Sequence, residues 1–233
     1  MNSLRAALLL LAFSMNGLAF ASDYPELNVT PRASDRLKIE ADKESQNRLG
    51  FQMPITASAL LTLTAGIMQD VDTSSDPEKR SPLVGIVVGG SWLALNAYMS
   101  FSYQGYRRAY QEIKDMPVKS EREQLTRERL AEEQINRLGR LGKTMRYLSF
   151  ATNGAASLYL LSNSKKDTKS QIIDGLAAVG SLLPMLFSNQ WEDTAREQEL
   201  YKRKIFAPVA STGLMKVPGK DQIVPALLVS FNF

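Results

Sequence analysis

Four stretches of this chain contain no Asp, Glu, Lys or Arg: Leu49–Gln69, Ser81–Tyr106, Tyr147–Ser164 and Gly175–Trp191. Charged residues make up 22% of the sequence, so all of them are crowded into what remains. A helix rises about 1.5 Å per residue, and about 20 apolar residues cross a hydrocarbon core. The second stretch exceeds that length, the first meets it, and the third and fourth fall just short. Short polar loops, Asp70–Arg80 and Lys165–Asp174, join them in pairs. The pattern predicts a mainly α, membrane-type fold. Two tandem transmembrane-like helical hairpins are joined by a charged amphipathic helix and followed by a short C-terminal β-hairpin.

The first 21 residues stand apart. Arg5 gives a positive start, Ala6–Phe13 is apolar, and Ala19-Phe20-Ala21 places small residues where a signal peptidase reads them. This is the form of a secretory signal peptide and is left out of fold reasoning. The mature chain then divides into a polar arm and helix (22–48), a first hairpin (49–114), a connector (115–146), a second hairpin (147–205) and a β-hairpin (206–233).

Thr30-Pro31 reads as a helix N-cap followed by proline at the first helical position, where its missing N–H costs nothing. In the connector, Ser120-Glu121-Arg122-Glu123 has the form of a capping box. Leu130, Ala131, Ile135, Leu138, Leu141 and Met145 fall on one helical face there, which must lie against a helix or a membrane surface.

The hairpins resemble copies of each other. Asn47-Arg48-Leu49-Gly50 recurs as Asn136-Arg137-Leu138-Gly139, and Gly85, Gly90 and Ser91 recur as Gly175, Gly180 and Ser181, at offsets of 89 and 90. Small residues form stripes: Ser58, Thr62 and Gly66 in the first stretch, Gly85, Gly89 and Gly90 in the second. Ala151 and Ala155 do so in the third, and Ala177 and Ser181 in the fourth. Small residues let helix backbones approach in lipid, where no hydrophobic drive acts between helices. Asn96 and Asn153 are expected to hydrogen-bond across helices.

Tyr98, Tyr103, Tyr106, Tyr147 and Trp191 lie toward the termini and connector, beside Arg107, Arg108 and Arg146. Aromatic rings next to snorkelling cations mark one membrane interface. Positive charge there predicts a cytoplasmic side, whereas the signal peptide predicts the opposite side. The two disagree for four spans of an inner membrane.

The C-terminus bears on that conflict. Phe206–Val217 and Gln222–Phe233 read as strands joined by Pro218-Gly219-Lys220-Asp221, a turn sequence. Phe231 and Phe233 share a face of the last strand. An alternating final strand ending in an aromatic resembles the C-terminal assembly signal of bacterial outer-membrane proteins. The resemblance covers about ten residues, and the rest of the chain supplies none of the eight or more strands of a barrel.

Composition narrows the chemistry. Cys and His are absent, which removes disulfides, thiol nucleophiles and the commonest general base. The net charge of +4 comes without a basic, aromatic-interleaved groove for nucleic acid. The acidic loop Asp70, Asp72, Asp76 and Glu78 lacks the Gly and Glu a calcium loop needs. No cofactor or metal is expected. The sequence favours a non-catalytic, oligomeric membrane scaffold or assembly protein of the bacterial cell envelope, in the outer rather than the inner membrane. Its partners would be the lipid bilayer and further copies or an envelope complex. A pore component is the alternative.

Overall fold

The computed structural model describes residues 24–47, 52–71, 80–164, 168–206, 209–216 and 223–230. The signal segment, the acidic residues 72–79, the turn 218–221 and both terminal aromatics, Phe231 and Phe233, lie outside these.

The described chain is mostly helical. A 3-10 turn at Pro25–Asn28 precedes α1 (Ala33–Gln46), α2 (Met53–Val71) and α3 (Arg80–Tyr98). A π-helical turn, Met99–Tyr103, leads into α4 (Gly105–Ile113). Then come α5 (Glu121–Ser162), α6 (Thr168–Gly180), α7 (Leu183–Leu186) and α8 (Gln190–Phe206). Strands β1 (Val209–Lys216) and β2 (Ile223–Ser230) pair antiparallel, Val209 opposite Ser230 and Lys216 opposite Ile223. Phe206, expected to open the first strand, instead ends α8.

The spine is α5, with 42 residues and a length of about 63 Å. It starts at the expected capping box: the Ser120 hydroxyl accepts from the Glu123 N–H and the Glu123 carboxylate from the Ser120 N–H, both at 3.2 Å. Sequence polarity changes at Arg146–Tyr147, which suggested a boundary between connector and second hairpin. The helix runs through that point unbroken, because its hydrogen bonds follow the axis whatever its side chains face.

Two cores hang on this spine. The larger gathers Leu37, Tyr106, Ile113, Ile135 and Trp191, each at most 2% exposed, where α1, α4 and α8 meet the first half of α5. Burying each aliphatic side chain contributes about 2 kcal/mol. The smaller core joins Ala65 of α2, Leu160 of α5 and Ala177 of α6.

Buried side chains from neighbouring elements cap several helices. Thr30 does not cap α1; the helix begins three residues later, after Arg32, which supplies no side-chain cap. Glu128 of α5 does that work, accepting from the Ser34 N–H at 2.9 Å and its hydroxyl at 2.6 Å. A carboxylate there also meets the positive end of the helix dipole. Glu44 repeats the device on α4, accepting from the Arg107 N–H at 3.1 Å. Gln104, just before α4, has a left-handed backbone at φ 41°, which costs a non-glycine residue about 1 kcal/mol. Asn189 caps α8 through the Glu192 N–H at 3.0 Å.

The fourth charge-free stretch is not one helix. α6 stops at Gly180, Pro184 lies in the first turn of short α7, and α8 starts afresh at Gln190. A proline has no N–H to continue the ladder of a preceding helix. The order of elements nevertheless recurs along the chain. α1 packs on α4 as the first half of α5 packs on α8, and α3 packs on α5 as α6 packs on α2.

Candidate functional site: an apolar exterior over a polar seam

α2 and α3 run antiparallel with their backbones nearly touching. A Cβ on Gly66 would lie 2.7 Å from the Ile86 nitrogen, and one on Gly89 would lie 2.5 Å from the Leu63 nitrogen and 2.7 Å from the Ala59 carbonyl oxygen. Gly85 faces Gly66 directly. Gly90, expected in the same stripe, has nothing within 4 Å of its Cβ position. It is about 100° around the helix from Gly89 and so off the contact face. Gly175 is equally open, whereas Gly180 is buried against Leu61 of α2.

Ser58 and Thr62 are fully buried. The Thr62 hydroxyl donates to the Ser58 carbonyl at 3.1 Å and lies 3.2 Å from the Ser157 hydroxyl of α5. Ser181 is buried too, its hydroxyl donating to the Ala178 carbonyl at 2.6 Å. Ala151 and Ala155 are exposed, a correction to the packing role expected of them. Gly154 of α5 instead faces the residue that follows α6, its Cβ position 3.7 Å from the Ser181 hydroxyl.

These contacts belong to a seam of buried polar groups inside the most apolar part of the chain. Its centre is Gln69, 4% exposed. The Gln69 amide donates to the Leu160 carbonyl at 2.8 Å and to the Asp174 carboxylate at 3.1 Å, and accepts from the Ser81 hydroxyl at 2.8 Å. One side chain thus ties α2, α3, α5 and α6 together. Sequence reasoning missed it, although Gln69 extends the Ser58, Thr62, Gly66 face by three residues. Trp92 adds a second tie, its indole N–H donating to the Thr152 hydroxyl at 2.8 Å. The bonds expected of Asn96 and Asn153 across helices do not form. The Asn153 amide donates to Ser149 of its own helix, and the buried Asn96 amide meets no partner among the described residues.

The outside of this region is apolar. Of the large hydrophobic side chains that stand exposed among the described residues, all but Ile39, Val118 and Leu200 belong to α2, α3, the π turn, the second half of α5, α6, or α7 with its flanking residues Leu182 and Phe187. Leu83 is 60% exposed, Leu158 62%, Val179 66% and Leu186 70%. Two helical segments, Arg80–Ile113 and Thr168–Lys204, are long and apolar enough to cross a membrane, with only 28% and 33% of their most apolar windows buried.

The expected interface residues divide. Tyr98, Arg107, Arg108 and Tyr147 are exposed where the apolar region meets the charged one. Tyr106 and Trp191 are not surface anchors. Both are core residues of the charged half, and Trp191 meets Tyr103 edge to face at 6.3 Å. Arg146 is held in place: it pairs with Glu192 at 2.8 Å, donates to the Met185 carbonyl at 3.2 Å and lies 4.8 Å over the Tyr147 ring.

Glu44 sits at the junction of the halves. Burial pushes its carboxyl above the ordinary value of 4.5, against the opposing pull of the N–H groups of Arg107, Tyr106 and Gly105 and the Trp191 side chain.

No protein family matches this chain, and neither does a characterised protein or a solved structure.

Proposed function

We propose that the chain is a non-catalytic integral membrane scaffold or assembly protein of the bacterial cell envelope, exported through its N-terminal segment and working as an oligomer. The supporting observation is inverted polarity. In the apolar half, Ser58, Thr62, Gln69, Ser81, Asn153 and Asp174 are inside, while Leu60, Leu83, Leu158 and Val179 are outside. In water this arrangement would leave large apolar side chains of four helices facing solvent, which marks an interaction or membrane surface. In lipid it is the expected one, because polar groups must then be satisfied internally. The charged half has the ordinary arrangement, with an apolar core under a solvated surface. Membrane fractions washed with alkaline carbonate test the reading. Retention in the pellet is expected; release into the supernatant would replace it with a water-soluble bundle. Separating inner from outer membranes then tests the outer-membrane placement.

A pore component is the second reading. It is favoured by buried polar atoms with no partner among the described residues, namely the Ser58 hydroxyl, the Asn96 amide and the Asn153 side-chain carbonyl oxygen. Several copies would have to line a lumen with this seam. Single-channel recording in planar bilayers separates the two readings, since a scaffold gives no conductance.

A further inference from the structure

Two hollows follow one another along a single face of α5. The first, about 550 Å³, is lined by Arg140, Lys143, Arg146, Tyr147, Leu186 and Glu192, among others. The second, about 530 Å³, lies one turn further on. Phe150, Ala151, Ala155 and Leu158 of α5 face Val179 and Leu182 across it, and its lining is wholly apolar. Residues 140, 143, 147, 151, 154 and 158 are spaced three or four apart, so they form one stripe on the helix. The groove is therefore cationic at one end and apolar at the other.

The cations at its head are not all available. Arg146 is paired with Glu192 and Arg196 with Asp193, while Glu199 is taken by Arg203. Arg140 and Lys143 are exposed and have no side-chain partner among the described residues. From Tyr147 to Leu158 the helix rises about 16 Å, close to the ~15 Å hydrocarbon depth of one leaflet.

We propose that this groove holds one anionic phospholipid, its headgroup phosphate against Arg140 and Lys143 and an acyl chain along Ala151, Ala155 and Leu158. The assignment rests on the membrane reading above. It also accounts for the small, exposed Ala151 and Ala155: they leave room for the chain. Charge complementarity selects an anionic headgroup, and the apolar floor selects a lipid over free phosphate.

The test uses full-length protein in nanodiscs or detergent, with phosphatidylglycerol and phosphatidylcholine as probes and native mass spectrometry as readout. Each cation favours the anionic lipid about fivefold, so the wild type should prefer phosphatidylglycerol by roughly 25-fold. R140Q/K143Q should abolish that preference, and R140K/K143R should keep it. Ala155→Trp should weaken both lipids while leaving the charge preference. Inorganic phosphate should fail to displace phosphatidylglycerol. Equal retention of the two lipids by the wild type overturns the proposal, as does an unchanged preference in R140Q/K143Q or displacement by phosphate. A change of oligomer size in Ala155→Trp without a change in lipid also overturns it, assigning the groove to a second copy. Carbonate extraction of the same variants keeps the membrane reading separate: a protein that stays in the membrane without lipid preference sinks only the lipid site.

Discussion

Gly66 and Gly85 lie backbone against backbone, so that a Cβ on either would come within 2.9 Å of the main chain of the other. Nothing larger than hydrogen fits there without separating α2 from α3. The contact extends to Gly89, which meets Leu63 and Ala59. Gly66→Ala and Gly89→Ala should each cost about 1–3 kcal/mol or more by overpacking. Gly90→Ala and Gly175→Ala, in open positions, should be neutral or stabilise by up to about 1 kcal/mol through helix propensity. Gly105→Ala should fall between, because its Cβ would meet the end of the Leu138 side chain rather than backbone. Thermal melts in one detergent rank the five variants. Equal losses at Gly89 and Gly90 would remove the close contact from the account.

The second prediction concerns pH. Burial holds the Glu44 carboxyl above its ordinary value, so folding favours its protonated form. The stability this contributes is fully present below the ordinary value of 4.5 and is lost as pH rises through the folded value. Glu44→Gln keeps an oxygen on the α4 N–H groups but has no charge to bury. Relative to this variant, the wild type should lose melting temperature as pH rises from about 4 to about 8. A wild type that gains on the variant over that range would show that the N–H cap outweighs burial.

Glu128 and Ser34 should be energetically coupled, since the carboxylate is the cap of α1. Glu128→Ala should cost about 1–2 kcal/mol, and Glu128→Gln less. A double-mutant cycle with Ser34→Ala reads the coupling, expected near 1 kcal/mol. Additive losses would mean that the helix end is satisfied some other way.

Gln69→Leu should destabilise by about 2–3 kcal/mol, because it removes the bonds that Gln69 makes to the Ser81 hydroxyl, the Leu160 carbonyl and the Asp174 carboxylate. Asn96→Leu removes an amide with no partner among the described residues and should cost little or stabilise. If Asn96→Leu is as damaging as Gln69→Leu, and lowers the molecular mass of the purified protein in solution, a second copy supplies the partner.

The last prediction tests the outer-membrane signal. Truncation after Gly219 removes β2 together with Phe231 and Phe233, while the packing described for α1–α8 involves neither aromatic. Fractionation and gel filtration should show lost localisation or assembly with helical content kept. Normal location and size would favour the inner membrane.

How legible these features are in the sequence depends on how local their causes are. The Ser120–Glu123 capping box needs four residues of one segment, and it forms as read. The apolar face from Ala131 to Met145 is set by helical period alone, and it is buried as expected. Tyr106 and Trp191 are misread because each ends a charge-free stretch, beside Arg107-Arg108 in one case and Glu192-Asp193 in the other. Their true environment comes from contacts between segments distant in the chain: Trp191 with the Tyr103 ring, and both residues with Glu44 of α1. Ala151 and Ala155 are ambiguous for another reason: a small residue serves equally well where helices touch and where a groove must stay open. The break at Gly180–Gln190 has a local cause in Pro184, which the absence of charge along Gly175–Trp191 masks.

The uninterrupted course of α5 past Arg146–Tyr147 has a mechanical consequence. No hinge separates the apolar half from the charged half along this helix, and residues 121–146 extend roughly 40 Å beyond the junction. With the apolar half in a bilayer, α5 is a lever arm whose short end is gripped by lipid. A change in tilt of about 10°, of the kind that hydrophobic mismatch imposes, swings its far end at Glu121 by roughly 7 Å. On the membrane reading, bilayer thickness would thereby be converted into the lateral position of a charged surface well outside the hydrocarbon.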